Sequence, residues 1–173
     1  MPLTKIQSLG ITDGTIVNAD INASAAIAGT KISGSFGKVL QVVSTTTATL
    51  FSSTSTTPVD IISLSITPSS ASSKIFITAS LSECFKNGGS QGSTFNLLRG
   101  ATNLGTQISY NNNYSEPTGT EFMTNIAYSF LDSPSTTSST TYKVTFNRQG
   151  GTSTHRVNQD GGTSTLILFE IGA

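Results

Sequence analysis

"KIFITASLSECF", residues 74–85, decides the fold. Ile75, Ile77 and Ala79 alternate with Phe76, Thr78 and Ser80, so one set faces a core and the other faces away from it. A helix needs apolar steps of three and four, whereas this run steps by two. Its β-branched and aromatic side chains suit a pleated, half-buried surface. The stretch reads as a long strand.

The same signature recurs downstream. Tyr142, Val144 and Phe146 oppose Lys143, Thr145 and Asn147, while Leu166, Leu168 and Glu170 oppose Ile167, Phe169 and Ile171. Further strands are predicted at 38–44, 48–51, 59–66, 93–100, 103–110 and 120–132, with the last two at 141–149 and 164–172. Turn clusters at 67–73, 87–92, 111–119 and 133–140 separate them. The runs at 93–100 and 103–110 form a hairpin across Gly100, Ala101 and Thr102. Alternation of this kind belongs to antiparallel sheets, because parallel ones read as unbroken apolar runs. Eight or nine strands over about 135 residues, with no helical pattern between them, predict an antiparallel β-sandwich of jelly-roll type for residues 38–173.

Composition narrows the function. Nine basic and nine acidic residues cancel, and charged residues are 10% of the 173, against roughly 25% in an average soluble domain. Serine (27) and threonine (28) supply the polarity instead. A chain without a basic footprint is not expected to bind nucleic acid. Net charge near zero favours self-association. A single cysteine, Cys84, excludes an intramolecular disulfide framework. No apolar run approaches the roughly 20 residues of a membrane span. "MPLTKIQSLG" lacks the basic-then-apolar layout of a signal peptide, so synthesis in the cytoplasm is expected.

Residues 1–37 differ from the rest. Gaps of five and six among their bulky apolar positions break any single helical face, and Gly14, Gly29 and Gly34 interrupt them further. A fifteen-residue period fits better. Gly14-Thr15 recurs as Gly29-Thr30, Val17 matches Ile32, and Ile6, Ile21 and Phe36 fall in one column. So short a repeat cannot bury its own column, which therefore packs against other copies or another protein. The expectation is an extended arm or short stalk, with a homotrimer formed or docked through Ile6, Val17, Ile21, Ile32 and Phe36.

Catalytic and metal-binding chemistry finds few parts. His155 and Asp160 admit a Ser–His–Asp set on paper, but no nucleophile elbow accompanies them. His155 reads instead as an exposed or interface loop residue. The acids are scattered, with no pair placed for sugar hydrolysis. Asn18, Asp20 and Asn22 lack the glycine and glutamate that complete a calcium loop. No cofactor is expected. Recognition is the chemistry left, and two loops suit it: Tyr110, Asn111, Asn112, Asn113 and Tyr114, and then His155, Arg156, Asn158, Gln159 and Asp160. Amphipathic rings beside adaptable amides are the material of recognition loops and would suit a sugar surface.

"ITDGTIVNADINASAAIAGTKISG", then "GKVLQVV", "SLSITPSSASSKIFI", "FNLLRG", "AYSFLDSPSTTSSTTYKVTF" and "TLILFEIGA" resemble, in that order, the tail-fibre and related structural proteins of marine bacteriophages. The resemblance implies a trimeric β-sandwich in a virion fibre or appendage, and brings no catalytic residues. The expected role is a non-enzymatic virion protein anchored by residues 1–37, with 38–173 turned outward toward a host surface glycan. A capsid decoration protein is the second reading. A glycan-degrading enzyme, which requires a cleft with paired acids, is the third.

Overall fold

The computed structural model describes residues 39–87, 92–111, 121–151 and 153–172, with backbone alone for 105–111. The arm positions Ile6, Val17, Ile21, Ile32 and Phe36 lie outside the described residues. The strands are β1 (Val39–Thr47), β2 (Phe51–Ser53), β3 (Val59–Ile66), β4 (Lys74–Asn87), β5 (Ser93–Arg99), β6 (Thr102–Asn111), β7 (Glu121–Asp132), β8 (Thr140–Arg148), β9 (Thr154–Val157) and β10 (Ser164–Ile171).

Two antiparallel sheets form. The first holds β1, β2, β4, β7, β9 and β10, and the second runs β3-β8-β5-β6. In the first sheet β10 pairs with residues 74–80 of β4, and β9 pairs with residues 85–87 of the same strand. Alongside them, β1 pairs with β10 and β2 with β9. So β1/β2 and β9/β10 are each one strand interrupted midway. Numbered on that basis, eight strands lie in the orders 1-8-3-6 and 2-7-4-5, the two interlocked Greek keys of a jelly roll. The predicted architecture is the observed one.

The alternation of β4 settles its facing: Ile75, Ile77 and Leu81 are fully buried, and Phe76 is exposed. With Leu166 and Leu168 of β10 they meet Phe95 and Leu97 of β5, Tyr142, Val144 and Phe146 of β8, and Ile62 and Ile66 of β3. Phe95 and Phe146 stack with ring centroids 6.0 Å apart. Cys84 packs here as a small apolar residue, and burial pushes its thiol up to about 12. The predicted hairpin is present, with Gly100 at φ 58° in a turn tight enough to pair Arg99 with Thr102.

Polar rows close the core at both ends. Gln41, Glu170, Ile75 and Asp132 lie in one cross-strand register. Asp132 accepts from Arg99 Nη1 at 2.9 Å and from Tyr142 Oη at 2.6 Å, tying the first sheet to β5 and β8 of the second. Glu170 accepts from the Ser69 N–H (2.7 Å), Ser69 Oγ (2.6 Å) and Gln41 Nε2 (2.7 Å). Burial works to raise the Glu170 pKa, but these donors outweigh it and hold it at about 2. At the other end, Ser53, His155 and Lys86 share a register, all three buried.

Two segments depart from the sequence reading. The strand expected at 48–51 is β2, at 51–53, and the loop expected around His155 contains β9. Both belong to interrupted strands, whose short pieces take their pairing from neighbours rather than from local pattern.

Candidate functional site

The interruptions occur at one level, where the chain builds a compact polar joint. β4 bulges between Leu81 and Cys84, with Glu83 at φ 47°. Against this bulge lies the 158–163 loop. The Asn158 N–H donates to Ser82 O (3.0 Å), and Glu83 Oε2 accepts the N–H groups of Asp160 (2.8 Å) and Gly162 (2.7 Å). A Cβ on Gly162 would stand 2.6 Å from Glu83 Oε2, so the close approach requires glycine.

Asn158, at φ 58°, has turned inward and is 1% exposed. Its Nδ2 donates to Thr47 O (3.1 Å) and Thr49 O (3.0 Å), bridging the break between β1 and β2. Its Oδ1 accepts from Ser164 Oγ at 2.7 Å, and Ser164 Oγ accepts the Ser82 N–H at 3.1 Å. One side chain thus satisfies backbone groups that the interrupted edge would leave unpaired.

His155 is buried too, against the expectation of an exposed loop residue. It lies on the inward side of β9 with Nδ1 against Ser93 Oγ and Nε2 3.0 Å from Ser153 Oγ. Burial pushes its pKa down to about 4, and the Lys86 and Arg148 charges add to the effect. The neutral ring donates from one nitrogen and accepts at the other, so both serines are satisfied. Among the described residues no carboxylate hydrogen-bonds this imidazole. Asp160 is exposed, and its carboxylate accepts from Gln159 Nε2 (3.3 Å). His155 and Asn158 therefore leave the set of surface recognition residues. With β9 a strand, Ser153, His155 and Val157 fall on one side of it and Arg156 on the other.

Arg156, Gln159 and Asp160 come together, joined by residues that sequence reading did not link to them. With Phe85, Glu121, Phe122 and Met123 they line a surface groove of about 320 Å³. The Arg156 guanidinium lies 5.5 Å above the Phe85 ring centroid, and its Nη1 donates to Gln159 Oε1 at 3.0 Å. Met123 (46% exposed) lies opposite Phe85 on this face, while Phe122 pairs with Lys86 and its side chain points to the other face of the sheet. Glu121 and Asp160, 39 positions apart, bring two carboxylates to one groove, although the acids look scattered in sequence. Of the other predicted loop, Tyr110 and Asn111 close β6 opposite Thr94 and Ser93. Asn112, Asn113 and Tyr114 lie outside the described residues.

No family model matches the chain, and no curated protein does. Among solved structures, the infectious bursal disease virus VP2 subviral particle aligns at 14% identity and TM-score 0.45, over 78% of this chain and 38% of that one. The Gx strain of the same virus aligns at 15% identity and TM-score 0.40, over 84% of this chain and 42% of that one. The chain spans about two fifths of the length of these structures. The jelly-roll assignment rests on the strand order itself.

Proposed function

We propose that this chain is a structural protein of a bacteriophage virion, a fibre-like appendage whose residues 38–173 form an outward-facing head. Residues 1–37 anchor it to other virion proteins and associate in threes through the column of Ile6, Ile21 and Phe36. One observation carries the orientation. The chain enters the head at Val39, paired with Ile171, and Ile171 pairs with Lys74 at the start of β4. The groove at Phe85 lies eleven residues further along β4, roughly 35 Å away at about 3.3 Å per residue. The groove therefore lies at the far end of the β-sandwich from Val39. Host-surface recognition follows naturally from that arrangement.

Quantitative mass spectrometry of purified virions against the major capsid protein tests the reading. A few to a few tens of copies per particle are expected. Hundreds of copies would make the chain a head-coating decoration protein instead, and absence from the virion would overturn the proposal.

A further inference from the structure

The groove beside the polar joint has the build of a ligand site. Its apolar part comes from Met123, which pairs with Phe85 across the strands, and Phe85 lies beneath Arg156. Its rim carries donors on Arg156 and Gln159 and acceptors on Glu121 and Asp160. A shelf with a mixed rim fits a ligand that is itself apolar on one face and hydroxylated at its edge. A pyranose ring has that shape: its axial C–H groups lie on an apolar surface while its hydroxyls donate to carboxylates and accept from guanidinium and amide. The volume, about 320 Å³, is at the small end for ligand pockets, which run from about 300 to 1,000 Å³.

The rim is held in place before any ligand arrives. Arg156 is fixed from below by Phe85 and from the side by Gln159. The Gln159 and Asp160 backbone N–H groups donate to Glu83 O (3.4 Å) and Glu83 Oε2 (2.8 Å). A ligand meeting such a rim orders little new chain, which lowers the entropic cost of binding. Charge narrows the class further. Two carboxylates and one guanidinium line the groove, so its balance is negative by one. Uronic and sulfated sugars meet like charge there, and uncharged ones do not.

We infer that the groove formed by Phe85, Glu121, Met123, Arg156, Gln159 and Asp160 binds an uncharged pyranose of a polysaccharide and discriminates against anionic sugars. The inference deepens the proposed outward-facing role. Its test uses isolated full chain, so a failure here leaves the virion placement standing, and the copy-number measurement can fail without touching it.

The experiment is saturation-transfer NMR of the full chain with methyl glucoside, methyl galactoside and N-acetylglucosamine oligomers. Glucuronate-containing and sulfated oligosaccharides are run in parallel. At least one uncharged probe should bind weakly, and the anionic probes at least tenfold more weakly. Met123→Ala and Arg156→Ala should each reduce binding about tenfold, with the melting temperature followed in the same samples. Ser63→Ala, on the second sheet, should leave binding unchanged. Glu121→Gln should keep the uncharged probe and admit the anionic ones, a change of selectivity that unfolding cannot produce. No binding by any probe, a preference for anionic sugars, or binding insensitive to Met123 and Arg156 would overturn the inference. So would the appearance of new reducing ends, since Glu121 and Asp160 would then be acting as a hydrolytic pair.

Discussion

Glu83 Oε2 accepts the Gly162 N–H at 2.7 Å, and a methyl group at position 162 would stand 2.6 Å from that same oxygen. The carboxylate cannot step aside without giving up the N–H groups of Asp160 and Gly162. Gly162→Ala should therefore destabilise the head by about 1–3 kcal/mol, as overpacking does. Urea unfolding should show a lower midpoint with an unchanged slope.

Asn158 combines a left-handed backbone with three side-chain bonds. Replacement by glycine keeps the first and removes the second. Asn158→Gly should cost about 2–4 kcal/mol, because the carbonyls of Thr47 and Thr49 lose a buried donor. If the backbone alone mattered, this variant would be as stable as the parent in the same unfolding experiment.

Tyr142 is fully buried and donates to Asp132 Oδ2 at 2.6 Å. Tyr142→Phe removes that bond while Arg99 stays on the carboxylate, so the loss should be about 1–2 kcal/mol. Thermal unfolding with and without the substitution measures it.

His155 makes stability depend on pH. Its pKa falls from 6.5 to about 4 on folding, so the unfolded chain binds the proton more readily. The neutral ring's contribution is fully present above pH 6.5 and is lost as pH falls toward 4, with a slope of up to about 1.4 kcal/mol per unit. Glu170, also lowered on folding, loses its contribution in a separate window as pH falls from 4.5 to about 2. Denaturant titrations from pH 8 to pH 4 should show the first slope. The same series on His155→Gln should be flatter between 6.5 and 4.

The two sides of β4 should respond unequally to truncation. Ile77 is fully buried and Phe76 is 37% exposed, one residue away. Ile77→Ala should cost about 2–5 kcal/mol. Phe76→Ser should cost under about 1 kcal/mol, in keeping with its outward position. Paired thermal melts of the two variants measure the difference.

The strands that spoke clearly in sequence are those long enough to show their period. Residues 59–66 are β3, residues 164–171 are β10, and the alternation of β4 and β8 gives their buried sides correctly. β9 was not legible, because four residues among Gly, Ser and Thr carry no period of their own and depend on β4 and β2 for pairing. For the same reason His155 and Asn158 look like surface residues: the partners that draw them inward from other strands, Ser93, Thr47 and Thr49, are at least 62 positions away. Arg156, Gln159 and Asp160 could be singled out by side-chain chemistry. Phe122, Met123 and Glu121 could not, since only the pairing of β4 with both β7 and β9 brings them alongside.

Val39, the point of entry, lies at the opposite end of the head from the groove, and this has a mechanical consequence. Tension between a tether at residue 39 and a ligand at the groove runs parallel to the strands. It meets β1 where hydrogen bonds to β10, from Val39 through Thr47, lie across the line of pull. Such a load shears the ladder as a whole instead of peeling it one rung at a time, so the force is shared. A load applied between Val39 and Phe85 would be spread along the whole β1–β10 ladder.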